Sequence, residues 1–459
     1  MKAYELTKKL LYETKPVLRK VEDQTWDVMG QIEGFEDMKT SMLWKSNVPG
    51  SGAPECITAA MVQALENRGY EVPGAMDLVL KGLEYHDNKN FIELHKTTSL
   101  LFEKLNSAII NKDSSYWKYT VYEDFKSYEN VINWPNNIEV DTTTKKFELE
   151  TKSGWVSQMI GAAAGTQVEG FVTDNLFEAF GDVTEFLREP TTFNDDLTFE
   201  LSFLNAFKKK HYDVTSKDIA LEWIGLVPAG WSAEDIALRN IKYGIMPPMS
   251  GTLNNPFSEW IGAQMRGAVC GMVAPGNPRM AAKLAWSDAE VSHANNGILG
   301  EVFNAIITSL AYVNNDVVNI LETGIELIPE DSEYRSVLDF AYKQCLKFDN
   351  WKDAWKACEK EFVKYNWIHA YPNAAAEVVA LYFGDGDFNK TLNIITMAGM
   401  DVDCNAAQIM TVIGIIIGYD NIPNKWLHKN FENIKTYMRD FKQISLDSIV
   451  QMTVSSINK

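Results

Sequence analysis

Cysteine and histidine are scarce in this chain, and cationic side chains are outnumbered. Five cysteines and six histidines stand among 459 residues. The cysteines (Cys56, Cys270, Cys345, Cys358 and Cys404) are odd in number and form neither a CxxC pair nor a Cys/His zinc spacing. That argues against a disulfide framework or a zinc module and for a reduced, intracellular protein. Lys and Arg total 43 against 62 Asp and Glu, a net charge of −19. Such a field repels phosphate backbones and anionic bilayers, so no nucleic acid and no membrane is expected as a partner. The most apolar stretch, AAQIMTVIGIIIG (406–418), is too short to span a bilayer and reads as a buried core helix. The opening residues, Met1-Lys2-Ala3-Tyr4-Glu5, begin a charged amphipathic segment without an apolar signal core, which makes the cytoplasm the expected location. Also missing are a Walker A loop, a GxGxxG turn and a Ser/His/Asp arrangement. There is no solenoid period and no regular strand–helix alternation, which argues against Rossmann and TIM folds.

What is present is ample material for cores. Hydrophobic residues make up 46% and aromatics 12%, with 13 Trp, which argues against disorder. Helical periodicity runs through most of the chain, as in ITAAMVQALENRGY (57–70) and FIELHKTTSLLFEKLN (91–106). Pro49-Gly50-Ser51-Gly52 is a turn or loop. Residues 109–153 are polar, with Trp134-Pro135-Asn136-Asn137 in the middle, and Ile138–Thr151 has partial alternation compatible with a short hairpin. The expected organisation is therefore an N-terminal, mainly helical extension over 1–150 ending in a polar linker, then a larger domain over 151–459. The expected fold class is all-α, a large orthogonal helical bundle, with peripheral helices in the last thirty residues or so.

Two acidic clusters about two hundred residues apart carry the chemistry: Asn194-Asp195-Asp196 and Asp401-Val402-Asp403-Cys404-Asn405. Each precedes a strongly apolar helical run. Asn and Asp are favoured at helix starts, so solvated N-caps are one reading. The other is a cation site, because adjacent carboxylates beside a core helix are costly to desolvate unless something cationic offsets them. Oxygen-rich sets suit Mg²⁺ or Mn²⁺. Leu197, Leu201 and Leu204 share a stripe that would fix the first helix start. A third segment, IGAAAGTQVEG (160–170), joins small residues that permit close helix packing to a loop that presents Glu169. The flanking Gly165 and Gly170 would let that loop move.

These segments resemble, in the same order, motifs of the ADP-ribosylglycohydrolases: the small-residue helix ending in a loop glutamate (160–170), the Thr/Ser-Asp-Asp-type element (NDDLT, 194–198) and the Asp-x-Asp element (GMDVDCNAA, 399–407). GIMPPMSGTLNNPFSEWIGAQMRG (244–267), APGNPRMAAKLAWSDAEVSHANNGILGE (274–301), IPEDS (328–332) and HAYPNAAAEVVALYFGDGDF (369–388) resemble the branch with Asp-x-Asp-Cys-Asn near the C-terminus. The likeness covers roughly 154–425 and leaves 1–150 outside it. It implies an all-α glycosidase with one or two Mg²⁺ or Mn²⁺ ions. The substrate would be a small ribosyl or ADP-ribosyl molecule, or an ADP-ribosylated protein. By residue it implies Asn194, Asp195, Asp196, Asp401, Asp403 and Cys404 as the metal set and Glu169 as the acid/base. In SHANNG (292–297), it implies substrate contacts from His293, Asn296 and Gly297. Asn194, Val402, Cys404 and Ala162 depart from the commonest pattern. The competing expectation is a non-catalytic relative that binds ADP-ribose or a nucleotide, or serves structurally. Arg266 fits either a substrate phosphate or a buried ion pair, and Trp260 and Trp286 fit the core.

Overall fold

A computed structural model describes residues 1–23 and 25–458. Helices carry the architecture, as an all-α chain requires. Among the described residues the strands are three short antiparallel pairs: Ser46–Asn47 with Pro54–Glu55, Tyr70–Glu71 with Ile109–Ile110, and Asn433–Lys435 with Gln443–Ser445.

The central element is the helix Lys145–Gly165, packed along Val402–Ile417. Its start is capped by Thr144, whose hydroxyl accepts from the Phe147 amide at 3.2 Å. Its small residues decide how closely the partner helix approaches. A Cβ on Gly161 would lie 2.3 Å from the Ala406 carbonyl oxygen, and one on Gly165 would lie 2.3 Å from the Asp403 amide nitrogen. Backbone therefore meets backbone, and Ser153 adds a hydroxyl bond to the Gly414 carbonyl at 2.6 Å. The Val402–Ile417 helix is apolar nearly all round because other helices surround it, as such a pattern demands.

The N-terminal segment shares this core instead of forming a separate one. Its helices Ile57–Asn67, Ala75–Asp87 and Phe91–Asn106 pack together around Trp44, which lies directly on Gly82. The helix Ala3–Glu13, by contrast, buries none of its residues. Residue 150 lies inside the long central helix, whose first residue is Lys145.

Two local expectations need correction. No hairpin forms over Ile138–Thr151, because the Ile138 amide pairs instead with the Gly276 carbonyl at 2.9 Å and residue 145 begins the helix. The C-terminal stretch is not simply peripheral helix. Asn433–Lys435 alternates exposed, buried, exposed and pairs as a strand. The last helix, Leu446–Ile457, lies on the central one, where the Trp155 indole donates to Thr453 at 3.0 Å.

Candidate metal centre and active site

The first acidic cluster opens the helix Asp195–Lys210. Asn194 is its N-cap, with Oδ1 accepting from the Leu197 amide at 3.2 Å. Leu197, Leu201 and Leu204 are buried and hold this helix start in the core. Asp195 is half-buried, while Asp196 is only 1% exposed and neither of its carboxylate oxygens has a hydrogen-bond partner.

The second cluster opens Val402–Ile417. Gly399 and Met400, at φ 76° and 68°, turn the chain sharply so that Asp401 takes the N-cap position. Its side chain makes no capping bond, which leaves the carboxylate free of that task. Asn373 fixes this turn: its Oδ1 accepts from the Asp401 amide at 3.0 Å and from Asn405 Nδ2 at 2.7 Å. Its Nδ2 donates to the Trp367 and His369 carbonyls at 2.7 and 2.8 Å. Ligand-type atoms of Asp401, Asp403 and Cys404 lie within 4.8 Å of one another.

The fold brings the two clusters face to face. Burial first, and then the Asp403 charge, pushes Asp195 up to about 6 and holds Asp196 well above the carboxylate range. Asp401 is raised by burial and by Asp403, and Asp403 chiefly by burial. The Cys404 thiol is held well above its usual range by burial and then by Asp196, so it stays protonated. Beside Asn194 and Asp196, under Met159 and Ala162, is a cavity of about 10 Å³, the size of one water or one small ion.

Glu169 faces the same cluster from the end of the central helix. It is 8% exposed, and burial, followed by the charges of Asp403 and Asp401, raises its carboxyl well above the ordinary range. Its loop is tied down. The Gly170 amide donates to the Met400 carbonyl at 2.8 Å, and the Met400 amide donates to the Phe171 carbonyl at 3.0 Å. The glutamate loop and the Asp401 turn therefore hold each other in register.

Four contributors were not evident from the sequence: the Pro49–Gly52 turn, Arg188, Tyr437 and Asn373. The Pro49–Gly52 turn folds over the glutamate, so close that a Cβ on Gly50 would lie 2.4 Å from Glu169 Oε1. Arg188 anchors this turn by donating to the Gly50 carbonyl at 3.1 Å. Tyr437, in the connection between the strands Asn433–Lys435 and Gln443–Ser445, packs its ring at a tilt against Phe193, and its phenol is raised by burial and then by the Asp195 charge. Asn373 lay in a quoted motif, but nothing in the sequence marked it as a fastening for Asp401. Only the Pro/Gly composition of 49–52 was a signal for a tight turn.

His293, Asn296 and Gly297 lie in the interior, in contact with residues outside the acidic cluster. His293 is 1% exposed, with Nδ1 bonded to the Ser292 hydroxyl at 2.7 Å and 3.8 Å from Glu234. Asn296 donates to Glu259 at 3.2 Å and accepts from the Tyr334 amide at 3.0 Å. Gly297 packs where a Cβ would meet the Ser258 carbonyl oxygen at 2.3 Å. Arg266 is a buried ion-pair partner: it meets Asp288, Glu234 at 2.9 Å and Glu301 at 3.5 Å. Its guanidinium also lies over the Trp223 ring. Trp260 and Trp286 are buried.

The family model for ADP-ribosylglycohydrolases matches residues 144–452. A solved structure described as an "ADP-ribosylglycohydrolase-related protein complex" superposes with a TM-score of 0.51 at 19% identity, over 68% of this chain and 100% of that one. At that identity the likeness concerns the fold. No curated protein sequence matches. With two thirds of its length matched, the chain belongs to the ADP-ribosylglycohydrolase family, a family of glycosidases.

Proposed function

We propose that this protein is a metal-dependent hydrolase of an N- or O-ribosyl bond, acting on an ADP-ribosyl or nucleoside-like molecule, free or on a protein, in the cytoplasm. The observation that carries the reading is Asp196. Both its oxygens are buried and unpartnered, and its charge is opposed by Asp403, Asp195 and Asp401. Uncompensated buried charge of this kind costs several kcal/mol, on the order of the penalty for one desolvated ion. A hard cation would offset it, and an all-carboxylate donor set fits Mg²⁺ or Mn²⁺. Asp195, Asp196, Asp401 and Asp403 would hold one or two such ions. Asn194 and Cys404 border the set: the Asn194 oxygen accepts one capping bond and keeps a second lone pair, whereas the soft Cys404 sulfur is a poor partner for these metals.

When bound, the ion supplies charge neutralisation and a fixed orientation for the ribose diol. The rest belongs to side chains of this chain. Burial favours the protonated form of Glu169, which can give a proton to the departing group, and its carboxylate form can take one from water. The paired loops at Gly170 and Met400 keep that carboxyl at a fixed position. The Gly50 turn keeps bulk solvent off it.

Calorimetry with Mg²⁺ and Mn²⁺, paired with ADP-ribose release from an ADP-ribosylated protein and from ribosyl small molecules, tests the reading. Metal binding that Asp403→Ala sharply weakens is the expected result. Metal binding unchanged in that variant, or no metal binding at all, refutes it.

A further inference from the structure

A recess lies between the N-terminal segment and the family domain, and it adjoins the glutamate loop. It has a volume of about 380 Å³, room for one planar ring system. One wall comes from Pro54, Glu55 and Ile57, directly after the turn that covers Glu169. The opposite wall is Trp260 and Trp367. Trp367 also borders the loop itself: a Cβ on Gly170 would sit 3.6 Å from its indole and 2.6 Å from Ala53 Cβ. Through Trp367 the recess therefore adjoins the loop that carries the proposed acid/base.

Its chemistry is selective. The half-buried Trp367 offers stacking area, while Trp260 is buried and only borders the recess. Two carboxylates, Glu55 and Glu66, border it, and no Lys, Arg or His does. The Trp260 indole N–H is buried and has no hydrogen-bond partner. Gln63 and Asn366 pair with each other at 3.3 Å, so the polar wall is held in place before any ligand arrives. Glu55 accepts from the Ser46 hydroxyl at 3.3 Å and Glu66 is exposed, so an anionic group would meet two carboxylates and no cationic side chain of the lining here. A planar ring with N–H or positive character would meet π-faces and acceptors.

We infer that this recess is a binding subsite for a planar nitrogen heterocycle, neutral or cationic, and that it receives the group released from the ribosyl carbon. The second half rests on the hydrolase reading above; the first does not. The segment over 1–150, which the family model scarcely reaches, thereby acquires a role as one wall of a specificity pocket.

Three closely related probes separate the charge states: nicotinamide, its N-methyl cation and nicotinate. Saturation-transfer NMR and calorimetry on the full chain without metal read their binding. The neutral and cationic probes are expected to bind at least about tenfold tighter than nicotinate, the effect of one modest charge interaction. Glu55→Gln should shrink the cation's advantage over the neutral probe to within about threefold, and Trp367→Ala should weaken both about tenfold. Asp403→Ala should leave all three affinities unchanged. Equal or tighter binding of nicotinate overturns the inference. So does binding that neither Glu55→Gln nor Trp367→Ala alters, or no binding of any probe at about 10 mM, the weak end of measurable affinity. Mn²⁺ titration of the same samples judges the hydrolase reading separately. Product inhibition by the cationic probe, lost in Trp367→Ala, supports the assignment to the released group; inhibition unchanged by that substitution overturns it.

Discussion

Replacing Asp403 by Asn should raise stability without metal and lower it with metal. Asp401 and Asp403 present ligand atoms within 4.8 Å, buried. At an effective dielectric near 20, two full charges at that spacing repel by about 3 kcal/mol. Raised pKa values already relieve part of this by protonation, so neutralising Asp403 should recover about 1–2 kcal/mol. Asn keeps an oxygen for the Cys404 amide, which Asp403 Oδ1 now accepts at 3.1 Å, so the helix start is preserved. The wild type gains about 2.7 kcal/mol from a ligand present at a hundred times its Kd, and the variant should forfeit most of that. For 459 residues the unfolding entropy is close to 1 kcal/mol per degree. Melting by circular dichroism should therefore show the variant about 1–2 °C above wild type in EDTA, and the order reversed in saturating Mn²⁺. A variant less stable than wild type in EDTA would mean that the carboxylate is held by favourable contacts, and the electrostatic argument would fall.

Glu169→Gln should leave Mn²⁺ affinity and melting temperature near wild type while steady-state turnover of a ribosyl substrate falls by about 10² to 10⁴; a rate within about twofold would reject the acid/base role. Gly165→Ala places a Cβ 2.3 Å from the Asp403 amide nitrogen, so the two central helices must part. A loss of about 1–3 kcal/mol by urea denaturation, with weaker Mn²⁺ binding, is expected. Glu200 and Glu377 are both pushed up to about 8 by burial, against hydrogen bonds from Gln408 and Gln158 to the first and from Gln264 and Asn304 to the second. A folded-state value above the unfolded one means that their contribution is complete below about pH 4.3 and is lost as pH rises through about 8. Melting temperature should drop between about pH 5 and 8 and level off above that, and Glu377→Gln should flatten the drop.

Much of the core was legible because it depends on local pattern. The apolar run 406–418 announced a helix surrounded on all sides, and the small residues at 161–165 announced close packing against something. The stripe Leu197, Leu201 and Leu204 announced a buried helix start, and it is one. The carboxylates were visible as two clusters because like charges side by side before apolar helices are unusual.

The helical class, the acidic character and the carboxylates in need of an explanation are all legible along the chain, since periodicity and charge are properties of sequence neighbours. That Asp196 faces Asp403 and that Asn373 pins the Asp401 turn follows from the fold instead. It alone laid the Gly50 turn across Glu169 and placed Tyr437 beside Asp195. Each of these depends on residues far apart in sequence meeting through packed backbone, where a missing Cβ or a single amide sets the approach. No local pattern encodes that.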